Sequence, residues 1–443
     1  MSPPAPDSDD AVASMSGAPE ATIRTAMRVS RRDLAIVYAL AVAVRVAYWV
    51  IVTPDWVPAS DANQYLLLAR SLGDGEGFSL RYPQLELHAT AFRPPLYPTL
   101  LAPLTLLTDG LWSIRLANLL LGAAVVVLAA TLTARVAGRS AALLAAALVA
   151  VYPPLLANDT VTLTEPLALA LLLAIVLFID DGRWTGAGLA TGALMLTRPN
   201  VYAVAVMVIV LAGRRADWRT AARASAAILV LVVPWLIRNQ VQVGTPRLVT
   251  SDGFTLAAIF APVAQDADRF VDPVLDRAYD DDLELRVAQF DEATWSRELL
   301  ERAGIGIRDN PSYLVQNAVD NVSFFFELEP SDNESAEEFD GRDLGFRRAT
   351  LPAFYVVTTL GLAGMWGNRR DPRVLHLGIL GIQFAVLCIA ILAPPRLRAP
   401  FDLMCCVGAA LFIGELLRRR HSRADRTSRA QGLTSTENLP QGT

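Results

Sequence analysis

The sequence has no lysine, so all 39 basic residues among its 443 are arginines. Any anion held by a cationic side chain must be held by a planar guanidinium, which can grip two oxygens at once. Cysteine and histidine are nearly as scarce. Cys388, Cys405 and Cys406 all lie in apolar runs, so no external disulfide framework is implied. His88, His376 and His421 are scattered and spell out no metal cluster. No glycine-rich phosphate loop joins a strand to a helix. Gly73-Asp74-Gly75-Glu76-Gly77 reads as a helix stop, and nucleotide hydrolysis is not expected. Charge is low overall, at 19% against 53% hydrophobic residues, which is the balance of a multi-span membrane protein.

The apolar runs predict an all-α transmembrane bundle of about ten helices. They fall near 34–52, 111–134, 140–156, 162–180, 184–197, 200–213, 222–238, 351–367, 374–393 and 400–417. A stretch at 95–107 contains Pro95, Pro98 and Pro103 and suits a short re-entrant or interfacial helix. Residues 1–30 and 418–443 read as disordered tails, and no cleavable signal peptide is expected before the first span. Short-loop arginines orient the chain with both tails in the cytoplasm: Arg31, Arg32, Arg135, Arg139, Arg183, Arg214, Arg215, Arg219, Arg369, Arg370, Arg373 and Arg418–Arg420 then all fall inside. This leaves 31–238 as an N-terminal membrane module with a first outer loop at 53–93. Residues 239–350 form a mixed or helical extracytoplasmic loop region, and 351–417 the C-terminal helices. Between 251 and 350 there are 23 acidic residues and 9 arginines, a net of −14, while the rest of the chain is +9. A solvated surface is the plainer reading of that acidity.

Several charges resist this scheme. Arg93, Arg198, Arg238, Arg396 and Arg398 fall at outer ends of spans, against the inside bias. Singly, each could snorkel to head groups; together they suit a phosphate or diphosphate. Asp61 begins a short amphipathic helix in which Ala62, Tyr65, Leu66, Ala69 and Leu72 recur at helical spacing. Alone it would be a first-turn charge on the helix dipole, with Ser60 as N-cap. Glu165 lies one turn inside a span beside Pro166, where a carboxylate facing the bundle is a functional candidate. Asp159 is a second outer-loop acid, and Arg45, mid-span, suits pairing with a buried polar group.

Taken in order, these motifs resemble the GT-C superfamily of polytopic membrane glycosyltransferases, nearest the protein O-mannosyltransferase-like and lipid A aminoarabinose transferase-like groups. The resemblance is carried by Asp61-Ala62-Asn63-Gln64-Tyr65, Gly75-Glu76-Gly77-Phe78 and Arg93-Pro94-Pro95-Leu96-Tyr97-Pro98. Leu163-Thr164-Glu165-Pro166, Thr197-Arg198-Pro199, Trp235-Leu236-Ile237-Arg238-Asn239 and Arg396-Leu397-Arg398-Ala399-Pro400 complete it. It covers roughly 34–417 and makes 31–238 a GT-C-like module. It implies an enzyme of the bacterial cell envelope that moves a sugar from a polyprenyl-phosphate carrier to an acceptor hydroxyl on the outer face of the plasma membrane. Asp61 would be the base, with Asp159 and Glu165 as further catalytic acids. Tyr65, Arg93, Tyr97, Arg198, Arg238, Arg396 and Arg398 would bind substrate. The acceptor would be glycan, lipid or protein; membrane lipids are partners and nucleic acid is not. Relatives often carry a pair of acids where this chain has Asp61-Ala62, which leaves a divalent metal ion as an open question. A flippase for lipid-linked sugars, or a non-catalytic subunit of an envelope assembly, are readings from other classes.

Overall fold

Inside a bilayer a backbone must satisfy its own hydrogen bonds, and the apolar runs of this chain do so as helices. The computed structural model of the protein describes residues 29–80, 87–107, 110–274, 291–331 and 333–436. The expected N-terminal tail falls almost wholly outside them.

The N-terminal part contains Arg31–Ile51 (α1), Ser60–Gly73 (α2), Leu96–Thr105 (α3), Trp112–Val151 (α4), Pro153–Asp159 (α5), Glu165–Asp180 (α6), Trp184–Met195 (α7), Tyr202–Arg215 (α8) and Trp218–Gln242 (α9). A two-residue antiparallel ladder, Ser79–Leu80 (β1) on His88–Ala89 (β2), sits between α2 and α3, with Ser79 opposite Ala89. The loop region folds as Ser251–Phe260 (α10), Pro262–Ala267 (α11), Glu292–Asp309 (α12), Tyr313–Phe326 (α13) and Glu334–Phe339 (α14). Leu344–Gly367 (α15), Pro372–Ala390 (α16), a 3-10 turn at Pro395–Arg398 and Ala399–Thr436 (α17) close the chain.

Among the described residues, six helices are long and apolar enough to cross a membrane: α1, α4, α9, α15, α16 and the stretch Pro395–Arg420. The 40-residue α4 is two helices joined at Gly138, whose φ of 80° is open to glycine and costly for other residues. Its first half occupies the expected run 111–134, and its second ends at Val151, so the expected run 140–156 is split at Tyr152 between α4 and α5. Helices α6, α7 and α8, of 16, 12 and 14 residues, occupy the next three. One expectation is corrected. The last helix runs on to Thr436, through a segment read as a disordered tail. Its arginines and alanines are good helix formers, and extending an existing helix avoids the cost of nucleation.

The core joins α4, α6, α7, α9, α15, α16 and α17 through Leu, Val and Ala side chains. One end of the bundle is tied by partly buried and exposed ion pairs: Arg135 to Asp180 and Asp181 at 2.9 and 2.6 Å, Arg373 to Asp180 at 2.6 Å and Arg139 to Asp33 at 2.8 Å. The opposite end carries α2, α3 and the loop helices. It also carries Asp61.

Candidate active site

Helix α2 is preceded by Ala59 as N-cap, with no side-chain cap, and Ser60 has a φ of 46°. The capping role foreseen for Ser60 is therefore absent. Asp61 does not turn its carboxylate back onto the helix amides either. Its Oδ1 accepts from Arg93 Nη2, and its Oδ2 accepts from Arg396 Nη2 at 2.5 Å. Arg93 Nε donates to Gln64 Oε1 at 2.6 Å, so one guanidinium bridges two residues of the same helical turn. Arg93 is aimed by Pro94-Pro95 and by Leu96, whose amide donates to the Leu196 carbonyl at 2.9 Å at the end of α7. Arg396 comes from the proline-led turn before α17. Its Nε lies 3.2 Å from Asp340 Oδ2, an ion pair without hydrogen-bond alignment. The side chains of Asp61, Arg93 and Arg396 are 20%, 17% and 14% exposed, so the cluster is half-closed.

A second pair stands beside it. Glu165 opens α6 and is buried. Its Oε1 accepts from Arg198 Nη1 at 3.0 Å, while its buried Oε2 has no partner. Arg198 sits at the α7–α8 turn, 6.0 Å from the Phe384 ring. The loop that delivers Glu165 is fixed by Asn118, whose Nδ2 donates to the carbonyls of Val161 and Leu163, the latter at 3.0 Å. Tyr97 donates its hydroxyl to Asn118 Oδ1 at 2.8 Å and stands edge-on to Tyr65, with ring centres 5.3 Å apart. Arg93 lies 5.8 Å from the centre of the Tyr65 ring. The two pairs share one field: Asp61 is stabilised by Arg198 as well as by its direct partners, and Asp340 is opposed by Asp61 and Glu165. Three guanidiniums thus face three carboxylates.

Burial pushes the Asp61 carboxyl up, but Arg93 and Arg396 outweigh it and hold the group well below the usual carboxylate range. Asp340 goes the other way. Burial, opposed by Arg396 and Arg342, raises it to about 6.

Three of the expected site residues are placed elsewhere. Asp159 is buried against Arg45, with Nη2 2.6 Å and Nε 2.7 Å from Oδ2, so its carboxylate serves the mid-span arginine. Arg238 donates to the carbonyls of Thr90 at 2.6 Å and Phe78 at 2.7 Å, clamping the β1–β2 segment. Arg398 is buried between Glu327 at 2.9 Å and Asp402 at 3.3 Å, over the Phe354 ring at 4.0 Å. Each satisfies a buried opposite charge or backbone oxygen, as membrane-depth charges must. A cavity behind the Pro395–Arg398 turn, lined by Tyr48, Phe346, Phe354 and Arg398, has none of Asp61, Arg93 or Arg396 on its walls. A divalent metal ion fits this donor set poorly. Both Asp61 oxygens are engaged by guanidiniums, and among the described residues no three His, Cys, Asp or Glu side chains gather to hold one.

Asp340, Gln64 and Asn118 were not singled out in the sequence. Asp340 is one of 23 acids in its stretch. The signal it did carry is position, since Asp340-Gly341 is a turn placed just before the span that starts at Leu344.

Residues 92–237 match the family described as dolichyl-phosphate-mannose-protein mannosyltransferase. The fold has a counterpart among solved structures. Its likeness to the archaeal oligosaccharyltransferase AglB from Archaeoglobus fulgidus, solved with an inhibitory peptide and a dolichol-phosphate, has a TM-score of 0.50 at 14% identity and covers 92% of this chain. The chain spans about half of that protein, 52% of its length. ArnT from Cupriavidus metallidurans, in the apo state, is matched at a TM-score of 0.38 and 13% identity over 86% of this chain and 77% of the other. No curated protein matches the sequence. The chain thus shares a helical fold with that oligosaccharyltransferase, and residues 92–237 carry the mannosyltransferase family match.

Proposed function

We propose that the chain transfers a sugar from a polyprenyl-phosphate carrier to an acceptor hydroxyl at the extracytoplasmic membrane face, with inversion at the anomeric carbon. The observation that carries this reading is the placement of Asp61, partly buried, between Arg93 and Arg396 at the end of the bundle that also holds Glu165 and Arg198. A phosphate leaving group needs no proton, only neutralisation of the charge it gains, and guanidiniums supply that bidentately. The acceptor hydroxyl must lose a proton, which a carboxylate within hydrogen-bond reach can take.

In the resting cluster Asp61 is a weak base, because both oxygens are capped by arginines. A phosphate arriving between Arg93 and Arg396 competes for those same N–H groups and releases the carboxylate. The acceptor oxygen then bonds to the anomeric carbon as the bond from that carbon to the phosphate oxygen breaks. The proton goes to Asp61, and the carrier leaves as a phosphate held by the arginines. Direct displacement with one carboxylate beside the acceptor inverts the centre. Tyr65 and Tyr97 are buried and pack edge-on against each other beside this point.

The test is purified Asp61→Asn protein in nanodiscs, given a panel of polyprenyl-phosphate sugars and outer-envelope acceptors. Folded protein without transfer is the expected result. Full activity would remove the base assignment. Carrier flux across vesicles with no glycosidic product would point to the flippase reading instead.

A further inference from the structure

Asp340 is the one member of the cluster contributed by the loop region, and the turn that carries it is wedged in place. Gly341 has a φ of 74°, and a Cβ there would come within 2.1 Å of Trp56 Nε1, so the turn lies directly on the indole of the first loop. The next residue, Arg342, is buried; its Nη1 reaches Glu337 at 3.1 Å and its Nη2 the Asn158 side chain. Asp340 itself is 7% exposed.

The cluster as it stands has no surplus positive charge: Arg93, Arg198 and Arg396 stand against Asp61, Glu165 and Asp340, and Arg342, which also faces Asp340, is already paired to Glu337 at 3.1 Å. An anion entering it would leave a net negative charge in a half-closed site, which is costly unless a proton follows. Of the three carboxylates, Asp61 is hydrogen-bonded by two guanidiniums and Glu165 by one. Asp340 meets Arg396 only at Nε, without hydrogen-bond alignment. It also faces the like charges of Asp61 and Glu165.

We propose that Asp340 is a positioning residue for Arg396: when an anionic phosphodiester enters the cluster, Asp340 takes up one proton from solvent and frees Arg396 to turn toward the phosphate. This rests on the reading that the phosphate of the carrier binds here. Burial raises the Asp340 carboxyl to about 6, which places the uptake in the physiological range. Bound anion favours the protonated acid, so affinity is highest where Asp340 is already protonated and falls as pH rises above about 6.

The probe is a short polyprenyl methyl phosphate, a diester with no second ionisation, titrated calorimetrically onto the full chain in nanodiscs, in buffers of different protonation enthalpy. For wild type the expected result is proton uptake on binding and an affinity that falls by up to about tenfold per pH unit above pH 6. Asp340→Asn binds with no uptake from this group and a flat profile, whereas Asp340→Glu retains both. Infrared difference spectra provide a second readout on wild type alone: a protonated-carboxyl band should appear on binding. Asp340→Asn protein with an unchanged slope, or no such band in wild type, overturns the inference while leaving phosphate binding intact. Failure of wild type to bind the diester overturns it together with the donor reading.

Discussion

Arg396 donates to Asp61 across 335 residues of sequence, and the same guanidinium faces Asp340. The C-terminal helices and the first loop therefore share one charged group. A lysine at this position has a single point of charge and cannot span both carboxylates. Arg396→Lys should lower kcat/KM for sugar transfer by roughly 10–100-fold, about 1–3 kcal/mol of lost charge-assisted hydrogen bonding. Steady-state kinetics over a range of donor concentrations checks this. An unchanged kcat/KM would mean that the guanidinium fork is dispensable.

Asp159 and Arg45 make a buried pair inside the bundle, and Gly122 leaves room for the carboxylate. Removing one partner strands a charge, which typically costs about 3–5 kcal/mol, while removing both restores neutrality. Asp159→Ala should therefore lower the melting temperature of the detergent-solubilised protein markedly, and Arg45→Met/Asp159→Ala should recover much of it. Were Asp159 an acid of the reaction, the double variant would melt normally and stay inactive.

The sequence made the membrane helices legible because apolar length is local information. The Asp61 region was legible as well, as an acid, a helix stop and Arg-Pro-Pro in close succession. What it could not rank was which outer arginines share a site. Arg396 and Arg398 differ by two positions, yet one reaches Asp61 and the other is buried on Glu327 and Asp402. Rotation about a proline-led 3-10 turn decides that, and no periodicity records it. Arg238 looked equally free until the β1–β2 carbonyls claimed it. Asp340 was hidden by its company, since an acid among many on a solvated loop looks like all the others.

The turn that seats Asp340 depends on Gly341. An alanine there must adopt a left-handed backbone and displace the Trp56 indole, at a combined cost of more than about 1 kcal/mol. Gly341→Ala should raise the donor KM more than it lowers kcat, because it shifts a residue that sets Arg396 and leaves Asp61 untouched. Parallel melting curves separate this from general loss of fold.

The loop region is latched to the first loop by Glu292, which is buried. Its Oε2 accepts from Thr90 Oγ1 at 2.7 Å, and its Oε1 accepts from the Ala91 amide at 2.8 Å and from Thr250 Oγ1 at 2.5 Å. Gln at this position keeps the shape and two acceptor lone pairs but loses the charge and turns an NH₂ toward a donor; Leu removes every acceptor. Each orphaned donor costs about 1–3 kcal/mol. Glu292→Leu should therefore open the segment around α10 and α12 to limited proteolysis, and Glu292→Gln should do so less. Because Arg93 follows Ala91 by only two residues, a loosened latch also lets the Asp61 partner drift, and transfer should fall in the same order as protease resistance. Equal resistance in all three proteins would show that the apolar contacts of Phe92, Ala257, Trp295 and Leu299 hold this seam without the carboxylate.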